Sequence, residues 1–326
     1  MGTARTGTSP GRSADPADPP APAVERDPPP KDIHHVDATN ELFRAHFAPR
    51  PPVLGRDGRL LSGVSGLIEQ LLYLLREEGA THVGCATDQV IRSWRNERYP
   101  PYKTEAGMPP ELLAQFPIAE EAIGALGLVC WPMVEFEADD ALAAAVARLD
   151  GQPEVARIVL CTPDKDMAQL VRGDRVVLWD RRRGIVYDDA GVWAKWGVPP
   201  ASIPDWLALV GDAADGFPGL PGWGAKSAAA ILARFGSLEA IPRQASGWDV
   251  APALRSAATL AATLVEQWDA AILYRELARL RTDAPIGVLE PENLRWLGVP
   301  RDRWLAFCAR WGLSRLAARP HRWRDD

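Results

Sequence analysis

The chain has 326 residues, 47% apolar and 25% charged, with a formal net charge of −6. That length allows one large or two smaller globular domains with a sizeable core. No run approaches the roughly 18 uncharged apolar residues of a membrane span, and no apolar signal core opens the chain, so a cytoplasmic protein without a membrane partner is expected. Cys85, Cys130, Cys161 and Cys308 are scattered, without a CxxC pair, and read as buried free thiols. The five histidines make no spaced ligand pattern, which argues against zinc.

Residues 1–30 are rich in Pro, Ala, Gly and Asp, with little to bury, and are expected to form a disordered leader. From Ile33 short apolar runs alternate with helical periodicity. Strands are predicted at 33–37, 82–88, 128–134, 156–162 and 175–180, with helices at 63–79, 108–127 and 138–150 between them. This alternation predicts an α/β domain over residues 31–198, a mostly parallel central sheet flanked by helices, with its site outside the carboxyl ends of the strands. The "RRRG" at Arg181–Gly184 reads as a charged turn between strands or a phosphate contact. After residue 198 the strands stop, and 199–326 reads as a helical domain.

The acidic residues fall at the predicted strand ends. Asp37 closes the first strand and Asp88 the second, while Glu137, Asp139 and Asp140 follow the third. Asp164 and Asp166 lie past the fourth, and Asp212 and Asp215 stand at the entry to the helical part. Each alone has an ordinary reading: Asp164 or Asp166 as a helix cap, Asp212 and Asp215 as turn formers, Asp37 as a strand terminator. Together, nine uncompensated carboxylates in one cleft would be prohibitive to desolvate. Divalent cations resolve this, and an all-oxygen set selects Mg2+, or Mn2+ in its place, over zinc. So many ligands suit two ions roughly 4 Å apart acting on a phosphodiester. With those nine set aside, the remainder of the chain is net positive, as a nucleic-acid partner requires.

Two segments supply that partner's contacts. "GFPGLPGWGAKSAAAILARFGS" (216–237) is a glycine- and proline-punctuated turn opening a helix. Gly219, Gly222 and Gly224 permit close backbone approach, and Lys226 and Ser227 stand beside the helix start. It reads as a helix-turn-helix clamp on a nucleic-acid backbone, or else as a tight turn without a ligand. "IRSWRNERYPPYK" (91–103) interleaves Arg92, Arg95, Arg98 and Lys103 with Trp94, Tyr99 and Tyr102. That pattern suits single strands; the alternative is a solvated loop whose aromatics pack on the core.

These residues resemble the 5′→3′ exonuclease/flap endonuclease superfamily, in its bacterial branch, represented by the N-terminal nuclease domain of DNA polymerase I and free-standing relatives. The resemblance runs from about Ile33 to Leu316. It is carried by "VDATNELFRAHFA", "SWRNERYPPYK", "EFEADDALA", "TPDKDMAQLV", "GDAADGFPGLPGWGAKSAAAIL" and "LYRELARLRTD", in family order. It implies a PIN-like nuclease core followed by a helix-three-turn-helix domain, and metal-dependent 5′-3′ exonuclease or 5′-flap endonuclease activity on DNA in replication or repair. One metal set would be Asp37, Asp88, Glu137, Asp139 and Asp140, the other Asp164, Asp166, Asp212 and Asp215. Arg95 and Lys103 match the basic pair at the base of the family's arch, which engages the scissile phosphate. Arg44, Arg92, Arg98, Gly222, Gly224, Lys226 and Ser227 would contact DNA, with K+ bound at the helix-three-turn-helix turn. The resemblance also implies a monomer, tolerance of an RNA–DNA hybrid, and a separately encoded polymerase, since no polymerase domain follows.

The sequence departs from the family at three places. Ala38 follows Asp37 where glycine is common, Gly216 and Phe217 replace Asn-Ile, and "TEAGMPPE" (104–111) carries no basic residue. The second and third departures motivate an alternative reading, a catalytically weak DNA-junction binding protein of the same fold.

Overall fold

A computed structural model describes residues 1–2, 30–250, 254 and 256–325. The expected leader falls almost wholly on residues 3–29, outside the described residues. The chain then builds β1 (Lys31–Asp37), α1 (Ala38–His46), α2 (Ser62–Arg76), β2 (His82–Asp88), α3 (Trp94–Arg98), α4 (Pro110–Leu113), α5 (Phe116–Ala125) and β3 (Val129–Met133). Next come α6 (Ala138–Leu149), β4 (Val155–Cys161), β5 (Val176–Asp180), β6 (Ile185–Tyr187) and α7 (Asp189–Trp196). The helical stretch holds α8 (Ile203–Val210), α9 (Ala225–Phe235), α10 (Ala257–Glu266) and α11 (Trp268–Ala278). A last piece forms β7 (Val299–Pro300), α12 (Arg301–Trp311), α13 (Ser314–Ala317) and β8 (Trp323–Arg324).

The main sheet runs in the order β3-β2-β1-β4-β5-β6. The first five strands are parallel, and β6 returns antiparallel to β5 across the Arg181–Gly184 turn. β6 is the strand that the reading of Arg181–Gly184 as a turn between strands implies, although its three residues are too few to show alternation of their own. The single helix expected over 108–127 is two, α4 and α5, because Pro117 near the start of α5 lacks the N–H that would continue α4. In the helical part, α10 and α11 follow one another directly and are separated only at Gln267.

Apolar residues of alternate parity on the strands feed two cores. Ile33, Ile158, Leu160 and Leu178 face α6, α8, α9 and α11, while Val36, Cys85, Val159 and Val177 face α2 and α5. The chain after residue 294 does not stay with the helical part, as expected, but returns to the second core. Trp296, Val299, Trp304, Phe307 and Leu316 pack there, and the Trp296 indole donates to the Leu126 carbonyl at 3.0 Å. Truncating the fully buried Trp304 to alanine would cost about 3–5 kcal/mol. No helix among the described residues is long and apolar enough to cross a membrane.

The strand order places the functional edge. The chain winds outward from β1 to β3, then crosses back to β4 on the other side of β1. That reversal opens a crevice beyond the carboxyl ends of β1 and β4. Asp37 ends one strand, and Asp164 follows the other.

Candidate active site

Local structure holds each acidic side chain at this edge. Asp37 caps α1, accepting from the Asn40 amide at 2.9 Å and, through its other oxygen, from the Thr162 hydroxyl at 3.0 Å. Asp88 accepts from the first amide of α6, Ala138, at 2.7 Å, and its own amide donates to Thr39 Oγ1 at 2.8 Å. Asp164 accepts from the Asp166 amide at 3.1 Å, and Asp212 from the Ala214 amide at 3.0 Å. The capping and turn-forming roles expected of single aspartates are therefore real. They orient the carboxylates without using up all their oxygens.

A cavity of about 500 Å³ is lined by Asp37, Asp88, Asp139, Asp164 and Asp215, with Lys103 and Tyr102 on its wall. Beside it Asp166, Asp212 and Asp215 each offer an oxygen within 4.8 Å of the others. Asp166 Oδ1 is buried and has no hydrogen-bond partner. Burial drives the electrostatics. Desolvation, with Asp88 and Asp164 close by, raises the Asp37 carboxyl to about 7. Asp215 is likewise raised to about 7 by burial, Lys103 opposing and Glu137 and Asp212 adding to it. Burial also raises Asp88, and it raises Asp139 and Asp166 well above the ordinary carboxyl range; Asp37 and Asp164 add to the shift at Asp139, Asp164 and Asp215 at Asp166. Glu137 goes the other way. Burial pushes it up, but Lys103 and Arg95 outweigh burial and hold it at about 2.

Two expected roles are corrected by this geometry. Asp140 is fully buried, and its oxygens accept from Arg95 at 2.7 and 2.8 Å, from the Arg281 amide at 2.9 Å, from the Glu137 amide and from the Trp94 indole. It has no acceptor left for an ion. Arg95 is buried with it, donating also to Glu137 at 3.0 Å and to the Leu277 carbonyl at 2.8 Å. Its guanidinium is engaged inside the protein and is not among the groups that line the cavity, so in this structure Arg95 braces Glu137 and Asp140 and faces no open space for a phosphate. Lys103 does line the cavity, ion-paired to Glu137 and 3.9 Å from Asp215.

Family models match both halves of the chain. A 5′-3′ exonuclease N-terminal resolvase-like domain matches residues 32–197, and a 5′-3′ exonuclease C-terminal SAM fold matches residues 198–301. The chain belongs to the 5′-3′ exonuclease family. It is a nuclease. A 5′-3′ exonuclease of Streptomyces coelicolor is 32% identical over 302 residues, covering 86% of this chain and 95% of that protein. DNA polymerase I of Rhizobium leguminosarum is 34% identical over 272 residues, covering 79% of this chain and 26% of the polymerase. The chain thus spans about a quarter of that polymerase relative. Among solved structures, the T5 5′-exonuclease with bound zinc superposes with a TM-score of 0.61 at 19% identity, covering 88% of this chain and 100% of that one. This likeness shows the fold.

The structure differs from the expected nucleic-acid contacts in several places. Tyr102 is buried in the wall of the cavity, and Tyr99 packs edge-on against Tyr274 with ring centroids 6.0 Å apart, so neither ring is an open stacking platform. Arg98 forms a two-pronged pair with Glu276 at 2.9 Å, and Arg92 pairs with Glu105 at 3.4 Å. Arg44 is paired with Glu41 and lines a separate groove with Arg50, Arg181 and Arg182, away from the carboxylate cavity. In the glycine turn, Gly222 and Lys226 are exposed, and Ser227 Oγ accepts from the Gly224 amide at 3.0 Å, capping α9. Gly219 and Gly216 have φ of +70° and +84°. A Cβ on Gly216 would lie 2.7 Å from the Pro101 carbonyl, and next to it the Lys103 amide donates to the Asp215 carbonyl at 3.0 Å. This close approach, at a positive φ, favours glycine at position 216 and lets the backbone seat Lys103 over the acidic cluster.

Thr39, Ser93, Thr162 and Lys165 escaped the sequence reading, although each contacts a site carboxylate or its backbone. Their only signal is proximity to an acidic residue or to the basic–aromatic segment.

Proposed function

We propose that the chain is a divalent-ion-dependent 5′ nuclease that hydrolyses DNA at 5′ ends and 5′ flaps, with two ions in its acidic crevice. The observation that carries this reading is the Asp166–Asp212–Asp215 trio, whose buried Asp166 Oδ1 has no partner of its own. An all-carboxylate donor set fits Mg2+, with Mn2+ as a substitute. Asp37, Asp88, Glu137 and Asp139 would hold one ion, and Asp164, Asp166, Asp212 and Asp215 the other. Bound there, the ions supply charge stabilisation to the attacking and leaving oxygens of an in-line displacement.

The chain's own residues do the rest. Lys103 offsets charge on the phosphate and keeps Glu137 ionised. Thr162 orients the Asp37 carboxylate, and Thr39 anchors the backbone at Asp88. The exposed Gly222 and Lys226 at the start of α9 offer a backbone clamp on duplex DNA, with K+ held by the turn's backbone oxygens. Arg92 and Arg98, whose charges are matched by Glu105 and Glu276, would contact DNA only on exchanging those partners for phosphates. Cytoplasmic action as a monomer with a DNA polymerase as partner, in replication or repair, belongs to the same reading, as does cleavage of an RNA–DNA hybrid.

A 5′-labelled flap duplex tests it. Short labelled product should form with Mg2+ and vanish with EDTA, the product length marking the cut. Intact substrate under both conditions, with DNA still bound, would overturn the proposal and leave a junction-binding protein.

A further inference from the structure

Each half of the acidic crevice contains a lysine of this chain. Lys103 sits on Glu137, and Lys165 Nζ lies 2.7 Å from Asp212 Oδ2. The two lysines differ in their freedom. Lys103 is tethered through its own amide to the Asp215 carbonyl and lies between Glu137 and Asp215. Lys165 is about one-third exposed at the rim, and Asp212 is its single ion-pair partner among the described residues.

Asp212 has two oxygens to give. Oδ1 accepts the Ala214 amide at 3.0 Å, and Oδ2 holds Lys165. Yet Asp212 also offers an oxygen within 4.8 Å of Asp166 and Asp215, where Asp166 Oδ1 is buried and unpartnered. A cation entering the trio must therefore take Asp212 from Lys165 or share it, and two positive charges at such separations repel strongly.

We propose that Lys165 is a built-in competitor for the second ion position. It neutralises Asp212 while the trio lacks an ion and yields it when a divalent ion enters, so the chain itself weakens that ion's binding. This inference rests on the two-ion reading above. It assigns Lys165 a tuning role distinct from that of Lys103.

Calorimetric titration of Mn2+ into the metal-free full chain tests it, comparing the wild type with Lys165→Met, Lys165→Gln, Lys165→Arg and Lys195→Met. The weaker binding step should tighten by about threefold or more in both Lys165→Met and Lys165→Gln, the scale of a partly exposed ion pair. It should stay near the wild-type value in Lys165→Arg, which keeps the charge. Lys195→Met, which removes the same charge on α7, should not move it. Equal affinities in the wild type and both neutral variants would overturn the role of Lys165 while leaving two-ion binding intact. Tightening in Lys195→Met as well would reduce the effect to net charge and overturn it too. Absence of Mn2+ binding in every protein would remove this inference together with the two-ion reading.

Discussion

Asp139 and Asp140 are neighbours on α6, yet they belong to different kinds of site. Asp140 faces a buried guanidinium whose five N–H groups are all used, on Asp140 twice, Glu137, and the Leu277 and Arg279 carbonyls. Charge there is matched within the protein, and the result is a brace joining α3, α6 and the end of α11. Asp139, one residue earlier and about 100° around the helix, lines the cavity among carboxylates that the chain leaves under-neutralised. The difference teaches how to tell a structural acid from a ligand-binding one. Matched charge builds scaffold, and residual charge at an open cavity waits for a partner.

The sharpest way to break that distinction is to neutralise one member of each kind. Asp139→Asn, or Asp164→Asn, should reduce flap cleavage by about 1000-fold or more, the scale of losing a key electrostatic group. DNA binding measured by fluorescence anisotropy should stay within about threefold. Cleavage at the wild-type rate in both variants would defeat the two-ion assignment. Arg95→Met should act on stability instead. It strands Asp140 as an uncompensated buried charge, which costs about 3–5 kcal/mol. Denaturant unfolding should register that loss, and adding Asp140→Leu should recover most of it. An Arg95→Met protein as stable as wild type but unable to cleave would return Arg95 to the phosphate, where the family resemblance had placed it.

Much of this was legible before any coordinates, and the limits are physical. The five parallel strands were readable because short apolar stretches, plainest in β4 and β5, alternate with helical periodicity, and acidic residues mark the carboxyl ends. β6, three residues long, was legible only through the turn before it. The resemblance put Asp140 and Asp139 in one ligand set because they are adjacent, and adjacency cannot say which way each points. Separating them required knowing that Arg95 lies beneath α6, a contact spanning 45 residues. Tyr99 and Tyr102 looked like stacking platforms because a stripe of aromatics and cations reads the same whether its rings face solvent or core. The return of Trp296–Leu316 to the α/β layer was hidden for a similar reason: an amphipathic helix announces that it buries a face, not against what.

His35 tests whether a missing partner alone marks a ligand site. It is fully buried on β1, and neither ring nitrogen has a hydrogen-bond partner, which is the same deficit that Asp166 Oδ1 shows. It borders no acidic cavity. Gly84, its neighbour across the sheet, leaves room for the Trp131 indole, which packs edge-on against the imidazole with centroids 5.6 Å apart. Burial, with His34 adding to it, pushes the imidazole down from 6.5 to about 3, so it stays neutral in the folded chain. The unfolded chain takes up the proton near 6.5 while the folded one does not. The stability linked to His35 is therefore fully present above about pH 6.5 and is lost as pH falls toward 3. Between pH 7 and pH 5 that loss is roughly 2 kcal/mol. His35→Leu removes the titration, so its stability relative to wild type should improve by about that amount over the same interval, measured by denaturant unfolding at each pH. A constant difference between the two proteins across that range would mean that His35 takes up its proton in the folded chain at the same pH as in the unfolded one, so that burial does not perturb it.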